Sequence, residues 1–210
     1  MNRRTLLLGL AAASAALGTG ASALYFRRGI GESPRASSKS QALGERSIYA
    51  LGSSWTTDEG RVVRLVELAG SVQLLAMMFT SCPSVCPTFV RELLALDRAL
   101  PAKLRETTRY TLVSIDPERD TAEALHRYRE KMGLARDRFT LLRGDASDVR
   151  ELAQVVGVAY AKTEGSDIAH TRLVTVLDPH GEVIHQQTGV SEDRERLIAG
   201  IGRADAVGAG

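Results

Sequence analysis

Between Ser71 and Gly157 the hydrophobic pattern alternates three times between a short β-prone run and an amphipathic helical stretch, and few folds accept such a pattern. The run "SVQLLAMMFT" (Ser71 to Thr80) is almost continuously apolar and short, which suits a strand buried on both faces of a sheet. From Pro87 the period becomes helical: Phe89, Val90, Leu93, Leu94, Leu96 and Leu100 form one apolar stripe that stops before Pro101. "RYTLVSID" then reads as a strand, "TAEALHRYREKMG" as a helix closed by Gly133, "RFTLLRG" as a strand and "ASDVRELAQVVG" as a helix closed by Gly157. Strand, helix, strand in this order implies crossover connections and a mainly parallel sheet with helices on its faces.

Antiparallel additions flank this centre. "WTTDEGRVVRLVEL" reads as a hairpin turning at Asp58-Glu59-Gly60, and "HTRLVTVLD" with "EVIHQQT" as a second one turning at Pro179-His180-Gly181. A last amphipathic helix is expected from about Glu192 to Ile201. The class is α/β: a central mixed sheet flanked by helices, with an N-terminal hairpin extension. At 210 residues one core is the expectation.

The amino terminus is of a different kind. "MNRRTLLLGLAAASAALGTGASALYF" opens with positive charge, continues with an apolar run from Leu6 to Leu17 and offers small residues at Ala21-Ser22-Ala23, the pattern of an export signal. The tract from Thr5 to Phe26 is also about long enough to span a bilayer, so residues 1–30 read as a signal peptide or a membrane anchor. The Arg3-Arg4 pair fits a twin-arginine signal as well, with less weight. Residues 31–47 read as a polar linker, and 48–205 as the folded domain. The leader holds four arginines and no acid, which leaves 23 basic against 25 acidic residues in the remainder. That near-neutral balance, with 5% aromatics, speaks against nucleic acid as a partner.

Both cysteines, Cys82 and Cys86, fall between the buried strand and the helix that follows. A purely structural disulfide there would close too small a loop to stabilise the fold much. The unpaired N–H groups of a helix start favour anions, which predicts stabilised, accessible thiolates, and Pro87 suits the first helical position. Such thiolates attack disulfides or bind soft metals. A separation of four residues sets both sulfurs on one face of a helical turn, toward one common site, while still permitting a disulfide between them.

Two thiolates leave a soft ion short of ligands, and His126, His170, His180 and His185 are the candidates to supply another. His126 lies in a helix as a solvated residue, His180 in a turn and His185 on the far half of the last hairpin. His170 opens the strand "HTRLVTVLD", and strand ends are where sheets of this class gather their sites. Spacing alone leaves open whether His170 is a ligand or a structural residue. Met77 and Met78 alternate along the buried strand and read as core.

Three blocks, "FTSCPSVCP", "VSIDPERDT" and "HTRLVTVLDPHGEV", occur in an order that resembles the Sco/SenC family, from about Trp55 to the last helix. The resemblance implies a thioredoxin-like fold and one copper ion, Cu(I) or Cu(II), held by Cys82, Cys86 and His170. It also implies a protein tethered by its N-terminal segment to the inner membrane and facing the periplasm. Its implied partners are an upstream copper donor and the CuA-bearing subunit of cytochrome c oxidase, which it supplies with copper or whose thiols it prepares. Asp116 and Pro117 match the family's "SIDP" block, with a structural role expected at a strand end. Ala169 departs from the family, many of whose members place an acid directly before the histidine; Asp167 is the nearest substitute. The alternative reading is a thiol-disulfide oxidoreductase in which Cys82 and Cys86 are catalytic and His170 need not bind metal.

Overall fold

The structure, a computed structural model, describes residues 46–83, 85–162 and 168–208. The leader and almost all of the linker lie outside the described residues, as does Asp167. No helix among the described residues is long and apolar enough to cross a membrane.

Seven strands form one sheet in the order β2-β1-β5-β4-β3-β8-β9. These are β1 (Ser54–Thr57), β2 (Val62–Arg64), β3 (Val72–Met78), β4 (Thr108–Ser114), β5 (Phe139–Arg143), β8 (Leu173–Leu177) and β9 (Val183–Thr188). The helices are α1 (Val85–Ala99), α2 (Ala102–Thr107), α3 (Ala122–Met132), α4 (Ala146–Val155) and α5 (Arg194–Gly208). This mixed sheet with its helices is the thioredoxin-like arrangement. Strand β3 is buried at every residue, as its unbroken apolar run requires, and carries parallel β4 on one side and antiparallel β8 on the other. Its one long polar side chain, Gln73, is satisfied by the Thr111 hydroxyl at 3.0 Å and the Leu68 carbonyl at 3.1 Å.

Several expectations need correction. Parallel pairing is confined to β3, β4 and β5, because both flanking hairpins add antiparallel strands; the sheet is not mainly parallel. Helix α1 begins at Val85, so Pro87 is its third residue, where a missing N–H is equally harmless because the first four have no partner in the helix. The last helix runs from Arg194 to Gly208 rather than ending at Ile201. His170 does not open β8: it ends β7 (Ile168–His170), which pairs with β6 (Tyr160–Lys162) in a separate two-stranded sheet.

The chain enters the domain at the edge where β3 starts. Ile48 N–H donates to the Gly181 carbonyl at 3.0 Å, and Gly70 N–H to the Pro179 carbonyl at 2.9 Å. Gly181 is required there: its φ is +86°, and a Cβ would lie 2.5 Å from the Tyr49 ring.

Candidate functional site

The opposite edge, where β3 ends, gathers the sequence-predicted residues. After Met78 the chain turns through Phe79 and Thr80, and Cys82 N–H donates to the Phe79 carbonyl at 3.4 Å. Thr80 is fixed by Asp120, a fully buried carboxylate that accepts from the Thr80 N–H at 3.1 Å, from the Thr80 hydroxyl and from Ser114 Oγ. Cys86 lies in the first turn of α1, and its N–H donates to Cys82 Sγ at 3.3 Å. One of the helix's unpaired donors thus meets a sulfur. Both thiols are free; Cys86 is 1% exposed and Cys82 9%.

His170 arrives from far along the chain because β8 runs antiparallel to β3. The pairing of Val174 with Ala76 puts the start of β8 beside the end of β3, and β7 with Thr171 and Arg172 leads into that start. Pairing of His170 with Tyr160, and the Thr171 N–H donating to the Ala159 carbonyl at 3.0 Å, hold the segment in place. His170 Nε2 lies 3.7 Å from Cys86 Sγ. Nδ1 lies 3.2 Å from the Thr171 carbonyl oxygen, which can only accept. In the neutral ring Nδ1 therefore carries the hydrogen, and the Nε2 lone pair is turned toward sulfur. The Phe79 ring stands edge-on to the imidazole with centroids 6.0 Å apart.

The thiolate expectation fails at Cys86. Burial pushes its thiol up to about 12, and a backbone hydrogen bond at Phe79 does not offset this. Dehydration of a buried sulfur outweighs the favourable helix start. In the metal-free protein at neutral pH, iodoacetamide should therefore modify Cys86 far more slowly than after unfolding. Its rate should rise about tenfold per pH unit up to its titration, as peptide mapping would measure; equal rates in folded and unfolded protein would contradict this.

The remaining candidates stand apart from this cluster. Met77 and Met78 are core, as expected. His126 is half-buried between Asp58 and Glu130, His180 lies exposed in the β8–β9 turn, and His185 bonds Gln187 at 3.0 Å. Asp116 is buried and pairs with Arg119. Ala169 is exposed. Asp120 was not singled out from the sequence, although it sits in the same "VSIDPERDT" block and is the acid that reaches the cysteine loop. Among the described residues no three His, Cys, Asp or Glu side chains are yet arranged to hold an ion. Two sulfurs and an imidazole nitrogen are nonetheless a donor set that suits a soft metal, and binding would have to draw them closer.

Comparison with known proteins identifies one family, described as SCO1/SenC, which matches residues 47–204. The mitochondrial protein SCO1 homolog 1 of Arabidopsis thaliana is 28% identical over 152 residues, 69% of this chain and 43% of that protein. With two bacterial relatives, from Stutzerimonas stutzeri and Rickettsia typhi, the match covers 57% and 63% of their lengths. The chain thus spans less than two thirds of these curated relatives. Among solved structures, Bradyrhizobium japonicum ScoI with copper bound superposes with a TM-score of 0.60 at 25% identity, over 72% of this chain and 96% of that one. BsSco, a member of the Sco family of cytochrome c oxidase assembly proteins in which a disulfide switch was identified, gives 0.64 at 25% identity, over 73% and 91%.

Proposed function

The chain belongs to the SCO1/SenC family, and from that premise we propose that it is a copper chaperone, binding one copper ion through Cys82, Cys86 and His170. The observation that carries this reading is the 3.7 Å approach of His170 Nε2 to Cys86 Sγ across 84 positions of sequence. Soft thiolates suit Cu(I), and imidazole serves both oxidation states. The metal is cargo, bound for the CuA centre of cytochrome c oxidase and received from an upstream donor. The exported domain works from the periplasmic face of the inner membrane, held by the N-terminal segment.

Burial orders the ligands in transfer. Cys82 is the more exposed sulfur, so an incoming ligand displaces it first, while Cys86 and His170 hold the ion until a second donor arrives. Release by exchange avoids a free ion at any stage.

A second reading draws on the free, adjacent thiols and on the disulfide switch of BsSco. Here the Cys82 thiolate attacks a partner disulfide, forming a mixed disulfide and expelling one partner thiolate. Cys86, its proton taken by His170 Nε2, then displaces the other, leaving Cys82 and Cys86 joined and the partner reduced by two electrons.

Anaerobic titration of the reduced protein with Cu(I), against a competing chromophoric chelator, separates the two. The wild type should bind one equivalent. His170→Ala should weaken binding by at least about a hundredfold, since even contacts that only orient a ligand cost about ten- to a hundredfold. Absence of saturable uptake, together with rapid exchange with a disulfide substrate, would replace the chaperone reading by the second.

A further inference from the structure

Phe79 is the first residue after β3, is 1% exposed, and touches both halves of the candidate site. Its carbonyl accepts the Cys82 N–H at 3.4 Å, and its ring meets the His170 imidazole with centroids 6.0 Å apart and planes inclined at 74°. One buried residue thus joins the cysteine turn to a histidine that lies far along the chain. Burial alone does not require a ring here. The buried positions just before it, Leu74, Leu75, Met77 and Met78, are filled by aliphatic and thioether side chains. What a ring adds is an angle: near-perpendicular aromatic pairs are favoured by the charge distribution of both rings, whereas an aliphatic side chain prefers no tilt.

His170 is placed where such a wall matters. It is half-buried and ends β7, three residues long, which pairs with β6 in a sheet separate from the seven-stranded one. The 3.2 Å contact of Nδ1 is with the carbonyl of the next residue, Thr171, so it does not tie the imidazole to the sulfurs. The 3.7 Å contact of Nε2 with Cys86 Sγ is a soft one, because a thiol is a weak partner. A side chain that must give up rotamer freedom to bind an ion binds it less tightly. Packing against a fixed ring removes that freedom in advance.

We propose that Phe79 is a positioning residue for the copper site: its ring holds the His170 imidazole with Nε2 toward Cys86 in the metal-free protein, so that the third ligand is in place before the ion arrives. The proposal rests on the copper reading above. Phe79 is not a ligand. Its carbonyl anchors the turn of the first sulfur and its ring anchors the imidazole, so the spacing between the two is set within a single residue.

The test compares wild type with Phe79→Leu, Phe139→Leu and His170→Ala. Phe139 is another buried ring, stacked on Tyr110, and its replacement controls for a loosened core. In the metal-free wild type, vicinal couplings across the His170 Cα–Cβ bond should report one rotamer, with nuclear Overhauser contacts between the Phe79 and His170 rings. The couplings should average in Phe79→Leu and stay unaveraged in Phe139→Leu. Cu(I) affinity, read against a chromophoric chelator, should fall about three- to tenfold in Phe79→Leu, stay within about twofold of wild type in Phe139→Leu, and fall furthest in His170→Ala. A single His170 rotamer and wild-type affinity in Phe79→Leu, beside a weakened His170→Ala, would overturn the role of Phe79 and leave the copper site standing. An equal loss of affinity in Phe139→Leu would overturn it too, by tracing the effect to general loosening. Should Phe79→Leu not fold, the wild type decides: one rotamer in contact with the Phe79 ring upholds the proposal, and averaged couplings overturn it. A wild type that takes up no copper overturns both this role and the function on which it rests, and the wild-type titration alone reveals that case.

Discussion

Replacing Asp120 with alanine should lower the unfolding free energy by about 3 kcal/mol or more and take copper uptake down with it. The carboxylate is 0% exposed and accepts from the Thr80 N–H, the Thr80 hydroxyl and Ser114 Oγ. Ser114 is buried and Thr80 half-buried; a donor left buried without an acceptor costs about 1–3 kcal/mol, and one that water can reach costs less. The functional loss follows from position, because Thr80 is held two residues before Cys82 and its release frees the turn that carries the first sulfur. Asp120→Asn keeps one carbonyl acceptor and should lose less on both measures. Urea unfolding and the Cu(I) titration check this; an Asp120→Ala protein that unfolds like wild type would show that the loop holds itself.

The second large effect lies at the other side of α3 and should spare copper. Asp58 receives both Nε and Nη2 of Arg129, the latter at 2.8 Å, and both residues are buried. Removing the carboxylate leaves a buried guanidinium unpaired, a change that costs about 3–5 kcal/mol. The pair also sets an acid limit. Burial raises the Asp58 carboxyl, but the hydrogen bonds and charge of Arg129 overcome it and hold the group below its ordinary 3.8. A carboxyl with a lower value folded than unfolded stabilises the fold above 3.8, and that share is lost as pH falls through the folded value. Wild type should therefore lose stability on acidification through this range, measured by urea midpoints. Asp58→Ala should start lower and lack this part of the decline.

What the sequence disclosed depended on the length of the signal. Strand β3 and helices α1, α3 and α4 carry runs long enough to show their period, and Gly133 closes α3 in the left-handed conformation with φ +67°. The six residues of α2 and the three-residue strands β6 and β7 are too short to show one, so the sequence pattern assigns His170 to the wrong strand, although the residue does lie at a strand end. Its approach to Cys86 depends on the antiparallel register of β8 with β3, a long-range fact that no local pattern contains. The acidity of Cys86 was misjudged for a related reason. A helix start is visible in sequence, whereas the packing that dehydrates the sulfur is not.

The hydrogen bond from Ile48 to Gly181 fixes where upstream chain joins the fold, at the edge from which β3 departs. Seven residues of β3 separate that point from the cysteine turn, a height of about 23 Å at 3.3 Å per residue. The Ile48 anchor and the sulfur pair therefore stand at opposite ends of the central strand, so the site is built at full strand length from the point where the described chain is tied down.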